Sequence, residues 1–243
     1  SISSTVVASG QTFSDALVGA AMAGRRGVPV VLTRSDRLPV ETGTALTRLN
    51  PAATGPEPPP PPGALPREVD PRQMSLFGAG WTLGSIAALA AAGAASVTYY
   101  QTTGWLGVME TVEGSPLPAA FISVPGGVYP VYHVFRAVGD LAAGEVLAAR
   151  VSDPLRLAAL ALRSQGRQRL LVANLGPEAA EATVRGLPGG RAALRRLDEH
   201  NAEAAMAAPE AYWQTPPEEA AIRGREARLA LEPYGLAWLD CAQ

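Results

Sequence analysis

Residues 155–175 read LRLAALALRSQGRQRLLVANL. Two apolar runs, 157–163 and 169–175, flank the turn signal Ser-Gln-Gly, the pattern of two strands joined by a tight connection. Alternation is visible in Arg169-Leu-Leu-Val-Ala-Asn and again in Ala227-Arg-Leu-Ala-Leu-Glu. Further strand candidates cover 182–187, 192–198 and 227–240, separated by NLGPE, LPGG and PYG. From residue 145 onward the reading is all β, and five or six such strands make a small sandwich.

Upstream the pattern changes. Residues 82–92 are an alanine-rich helix closed by Gly93, and 96–103 are a β-branched and aromatic strand. A long loop follows, then a helix over 129–141 that places Val131, Val134, Phe135 and Val138 on one face. Helix, strand, loop and helix match the last step of a (β/α)8 barrel. Residues 50–71 form a proline-rich linker or wrapping loop, since prolines donate no ladder hydrogen bonds. Residues 1–49 alternate strand (4–8), helix (15–23), strand (28–33) and a loop leading into a helix (35–49), the order of a parallel sheet. The expected fold is therefore α/β plus all-β. A partial (β/α) barrel-like or Rossmann-like layer, ending at 72–144, precedes a C-terminal β-sandwich over 145–243.

Composition narrows the chemistry. The 243 residues carry 20 basic side chains, all arginine, so lysine-based Schiff bases and P-loops are excluded. With two histidines and one cysteine, a zinc finger or a histidine-rich metal site is not expected, nor is a cofactor. A net charge of −2 gives no global attraction to nucleic acid. No apolar run is long enough to span a membrane. The start, SISSTVVASGQTF, lacks the basic and apolar regions of a signal peptide.

Few residues remain for catalysis. Glu110 is the acidic residue nearest the strand-end loop. Asp70, Glu113 and Asp140 read as solvated carboxylates, and no second strand-end carboxylate completes a pair. His133 sits on the amphipathic helix, while His200 falls in the polar stretch LDEHNAE. Tyr99, Tyr100 and Trp105 gather at a strand end, where aromatic faces stack on sugars or pack the core. GAGWTLG at 78–84 has the look of a phosphate turn without the preceding strand that such a turn requires.

Two resemblances add to this reading. NPAATGPEP, DPRQMSLFGAGWTLGS, GAASVTYYQTTGWLGVME, YPVYHVFRAVGD and LDEHNAEAAMAAPEAYW resemble, in order, the C-terminal part of the D-apionate lactonase family. That resemblance implies the end of a barrel joined to a sandwich, with a small sugar lactone as substrate. On that reading the nearest candidates in this chain are Glu110 and His133 for catalysis and Tyr99, Tyr100, Gln101 and Trp105 for substrate contact. Where the family carries a carboxylate in YYETTG, this chain has Gln101, and an amide transfers no proton. Residues 4–49 are similar to the first half of a type 2 cell-wall-binding repeat, on Ala8, Ser9, Gly10, Phe13, Asp15, Ala16, Leu17, Gly27, Pro29, Leu32 and Thr33. The second resemblance implies a non-catalytic module that holds anionic wall polymer through Arg25, Arg26, Arg34 and Arg37. The lactonase reading places the chain in the cytoplasm and the wall-binding reading at the cell envelope. A chain of two joined, incomplete units would do neither.

Overall fold

The computed structural model describes residues 6–9, 30–33 and 60–242, apart from 67, 68, 95 and 142. The helices expected over 15–23 and 35–49 lie outside the described residues. The upstream strands are short: β1 (Val6–Ser9), β2 (Val30–Thr33) and β3 (Ser96–Thr98). β1 and β2 pair in parallel, as the alternating order requires, whereas β3 runs antiparallel to β2. That second pairing departs from the all-parallel sheet expected from the sequence and from the neighbours of a closed barrel. β3 also ends at Thr98, before the expected 103, because Tyr100 turns the backbone left-handed (φ 51°).

Helix α1 (Leu76–Ala91) begins six residues earlier than its alanine run suggests. Ser75 supplies the start, its Oγ accepting the Gly78 N–H at 3.2 Å. The stretch that resembled a phosphate turn is thus helical. Its glycines serve packing instead: a Cβ at Gly78 would fall 2.3 Å from the Arg72 carbonyl. Gly80 faces Ala173 and Leu175, and Gly84 faces Ala158, so the helix settles closely on the sandwich. Just upstream, Leu65 and Val69 pack into the same core. Helix α2 (Pro130–Gly139) buries Val131, Val134 and Ala137.

The sandwich contains β4 (Glu145–Leu147), β5 (Leu157–Ser164), β6 (Arg167–Asn174), β7 (Ala180–Arg185), β8 (Gly190–Leu197), β9 (Glu218–Ile222), β10 (Glu226–Leu231) and β11 (Leu236–Ala242). Six strands form one antiparallel sheet in the order β4-β5-β6-β11-β8-β9, and β10-β7 form a second. The single strand expected over 227–240 is therefore two strands in different sheets, broken by a turn at Tyr234 (φ 56°). The all-β expectation also fails between β8 and β9, where helices α3 (Ala202–Ala207) and α4 (Pro209–Gln214) intervene. Their small and aromatic residues carry no strand-like alternation, and Pro209 starts the second helix at its first turn.

The six-stranded sheet is covered on both faces. Along β6, Leu170 and Val172 point to the core shared with β7 and β10, while Leu171 and Ala173 point to α1 and α2. β11 repeats the division, with Trp238 facing the helices and Leu239 facing the small sheet. Consecutive apolar residues are what a doubly covered strand needs.

Two polar devices join α2 to the sandwich. Arg169, 3% exposed, meets Asp240 across β6 and β11 through Nε at 2.7 Å and Nη2 at 2.8 Å. Its Nη1 donates to the Ala137 carbonyl at 2.7 Å, at the end of α2, and lies 3.2 Å from Asp140. His133, fully buried, holds the other side. Trp213 Nε1–H donates to His133 Nδ1 at 3.0 Å, so Nε2 carries the proton and donates to the Ala205 carbonyl at 3.2 Å. Burial is the main cause that lowers the His133 pKa from 6.5 to about 4.

Replacing Arg169 by Met leaves Asp240 and Asp140 without their shared cation and the Ala137 carbonyl without its donor. The half-open carboxylates reduce the loss below that of a fully buried pair, so unfolding in urea is expected to weaken by about 2–3 kcal/mol. His133 gives a pH signature. Its folded pKa lies below the unfolded one, so its contribution is complete above pH 6.5 and is lost as the pH falls towards 4. The total is on the order of 3 kcal/mol. Urea midpoints recorded across that window should fall with acidity in the native protein and fall less steeply in His133→Gln, whose amide can keep both hydrogen bonds.

Candidate active-site segment

β3, the loop over 99–129 and α2 form one strand-loop-helix step, with the loop leaving the C-terminal end of the strand. Its first residues are braced from behind by α1. Tyr99 Oη lies 2.7 Å from Ser85 Oγ, and Tyr100 Oη lies 2.8 Å from Thr82 Oγ1. Thr82 spends its own hydrogen on the Gly78 carbonyl at 2.8 Å, so Tyr100 is the donor in its pair. Phe135 of α2 packs against both rings, with centroids 5.7 Å and 6.2 Å away. Burial raises both phenol pKa values, so neither tyrosine acts as a base near neutral pH.

The left-handed turn at Tyr100 sends Gln101, Thr102 and Thr103 outward, all three exposed. The backbone beneath them is fixed by Gln101 N–H to the Leu106 carbonyl (2.8 Å) and Gly104 N–H to the Met109 carbonyl (2.9 Å). Gly107 fits because its missing side chain would fall 2.6 Å from the Thr103 backbone. Trp105 turns the other way. Its indole N–H donates to Ser115 Oγ at 2.9 Å, and its ring lies 6.4 Å from Phe121. Of the four residues expected to touch substrate, Gln101 is exposed and its side chain makes no hydrogen bond among the described residues, whereas the other three use their polar atoms inside the fold.

Glu110 and His133 are not brought together at an opening. Glu110 is 2% exposed. Its Oε1 accepts the Thr111 N–H at 2.9 Å, and its Oε2 accepts Ser123 Oγ at 2.5 Å and Tyr129 Oη at 3.1 Å. Tyr129 Oη also lies 3.2 Å from the Gly104 carbonyl, and burial together with the Glu110 charge raises the phenol's pKa. The carboxylate ties residues 110, 123 and 129 to the turn that carries Gln101. His133 is engaged at both ring nitrogens between α2 and the helices of the sandwich. The other acids are also occupied or remote. Asp70 pairs with Arg72, which lowers its pKa, Asp140 pairs with Arg169, and Glu113 is exposed. The arginines expected to bind wall polymer, Arg25, Arg26, Arg34 and Arg37, lie outside the described residues.

Two cavities stand apart from this turn. One, of about 1170 Å3, opens between β5–β6 and β7. The other, of about 700 Å3, lies between β8, β10 and the helices α3 and α4, and is lined by Asp198, His200, Tyr212 and Glu232 among others. The sequence offered no sign of either, because their walls come from strands far apart in the chain. At the rim of the smaller one, ligand atoms of Glu199, His200 and Glu232 lie within 4.8 Å of one another. No helix among the described residues is long and apolar enough to cross a membrane.

No curated protein matches the chain. Among solved structures, similarity extends to CelM2, a bifunctional glucanase-xylanase from a metagenome library (15% identity, TM-score 0.46, 70% of this chain and 29% of that one). It extends also to the family 30 subfamily 8 xylanase Xyn30A from Clostridium acetobutylicum (8%, TM-score 0.49, 70% and 40%). A third is a 4-O-alpha-L-rhamnosyl-beta-D-glucuronidase from Fusarium oxysporum 12S (18%, TM-score 0.46, 68% and 39%). The chain thus spans 29–40% of the length of these three. Two family models match directly. The D-apionate lactonase TIM-barrel domain covers residues 32–143, taking in part of the stretch that resembles a wall-binding repeat, and the C-terminal immunoglobulin-like domain of the same family covers 154–239. With a partial barrel-like layer and an antiparallel sandwich matched in order, the chain belongs to the D-apionate lactonase family.

Proposed function

We propose that this chain serves the hydrolysis of a sugar-acid lactone of the D-apionate type, with the Tyr100–Thr103 turn as one wall of the substrate site. The observation that carries the reading is the placement of Gln101. A strained, left-handed tyrosine, braced by Thr82, holds an exposed amide, unbonded among the described residues, at the C-terminal end of a strand, where barrel enzymes bind their substrates. Family membership supports the same substrate class.

The chemistry of the turn is that of binding and polarisation. The Gln101 amide can donate to a lactone carbonyl or ring hydroxyl and accept from a neighbouring hydroxyl. A donor aimed at the carbonyl oxygen favours the tetrahedral intermediate as negative charge develops there. The amide transfers no proton, so the base that activates water is a separate group. Glu110 acts one step behind, as a positioning residue that fixes the loop beneath the turn. His133 holds the helix that packs on Tyr99 and Tyr100.

The test is hydrolysis of D-apionate lactone by the full chain, followed by acid release in a pH-stat. A rate above the uncatalysed one is expected, with kcat/KM falling about tenfold in Gln101→Ala at unchanged melting temperature. No rate above background, or cleavage of a xyloside in its place, would overturn the reading.

A further inference from the structure

The two sheets of the sandwich are unequal, with six strands in one and two in the other. β7 and β10 therefore leave part of the larger sheet open, and the 1170 Å3 cavity is the groove that results. Its floor includes the half-buried Leu147, Leu157 and Ala159 of β4 and β5. One wall is β7, and the other is the largely exposed stretch 148–152. We propose that this groove docks an extended segment of a separate polypeptide, apolar and acidic in alternation, which adds a strand beside β7.

The alternation of ladder bonds leaves that edge of β7 open. Glu226 spends both backbone groups on Arg223: its N–H donates to the Arg223 carbonyl at 3.0 Å, and its carbonyl accepts the Arg223 N–H at 2.9 Å. Glu226 is also the register partner of Arg185, so that pair exchanges no bonds between β10 and β7. Bonded and unbonded pairs alternate in an antiparallel ladder. Residues 180, 182 and 184 thus bond to β10, whereas Glu181, Thr183 and Arg185 turn their N–H and C=O groups to the groove. Residues 148–152, across the groove, make no backbone–backbone hydrogen bond among the described residues. No proline interrupts Ala180–Arg185 to guard the edge.

The lining selects the occupant. A strand beside β7 alternates its side chains between the floor and the rim. The floor is apolar and asks for apolar residues. The charged lining residues are Arg150, Arg163, Arg185, Arg225 and Glu181, four guanidiniums against one carboxylate. Arg163 and Arg185 pair with Glu145 and Glu226, but Arg150 and Arg225 meet no carboxylate among the described residues. Acidic residues on the occupant's outer row complement that rim. A second copy fits less well. Antiparallel pairing of two β7 strands would bring the larger sheet of one copy into the space under β7 that β4 and β5 of the other occupy.

The test is fluorescence anisotropy of the full chain with a labelled Val-Glu-Val-Glu-Val-Glu-Val peptide. Saturable binding that weakens with added salt is expected. Thr183→Pro removes the central edge N–H, which bonds nothing within the described chain, and should weaken binding roughly tenfold or more. Arg150→Glu should weaken it several-fold. With no substitution at all, bound peptide should slow hydrogen exchange at the amides of residues 181, 183 and 185. Absence of saturable binding would overturn the proposal, as would equal affinity for the Val-Arg counterpart. So would protection of those three amides without peptide, which marks an edge covered by this chain itself. A two-copy mass in light scattering that Thr183→Pro abolishes would give the groove to a second copy instead.

Discussion

A guanidinium in the interior sets the terms for this molecule. Arg169 rises from the middle of a sheet that is covered on both faces, where an unpaired charge is not tolerated. Asp240 meets it across the neighbouring strand in two parallel hydrogen bonds, and the end of α2 supplies a carbonyl and a second carboxylate. The strand pairing of β6 with β11 and the docking of α2 are thereby coupled, because neither can shift without stranding the charge. Bidentate geometry adds register specificity that apolar contacts alone lack. On the far side of the same helix, His133 performs the corresponding task with neutral groups, accepting from Trp213 and donating to Ala205.

This arrangement makes the barrel-derived step and the sandwich one packed body among the described residues. Leu83, Val131 and Val134 of the helices share a core with Leu160, Leu171 and Trp238 of the sheet. The opposite face of that sheet is closed by β7 and β10 through Leu229 and Leu231. The turn that carries Gln101 is held through the same packing. α1 rests on the sheet through Gly80 and Gly84, and from that position Thr82 and Ser85 hold Tyr100 and Tyr99. The exposed Gln101 thus stands at the end of a chain of supports that begins in the sandwich.

Much of this was legible beforehand. The strands at 157–163 and 169–175 were clear because doubly covered strands are apolar at every position. The amphipathic face of α2 was clear because Val131 and Val134 repeat at helical spacing. The start of α1 was obscured by glycines that look like turn residues until the surfaces beneath them are known. The helices over 202–214 were missed because alanine, glutamate and aromatic residues without alternation give no decisive period. Antiparallel pairing of β3 with β2 has no local signature at all.

For the site, the sequence by itself determined the residue types available: no lysine, two histidines, and an amide at position 101. It also marked the aromatic strand end and the acidic residue in the loop behind it. Only the tertiary structure decided which of these face outward. Glu110 and His133 satisfy their polar atoms internally, since a buried polar group without partners is destabilising and the fold supplies those partners from residues 13 to 80 positions away. The same long-range folding placed Glu232 beside His200, a juxtaposition that spacing along the chain does not encode.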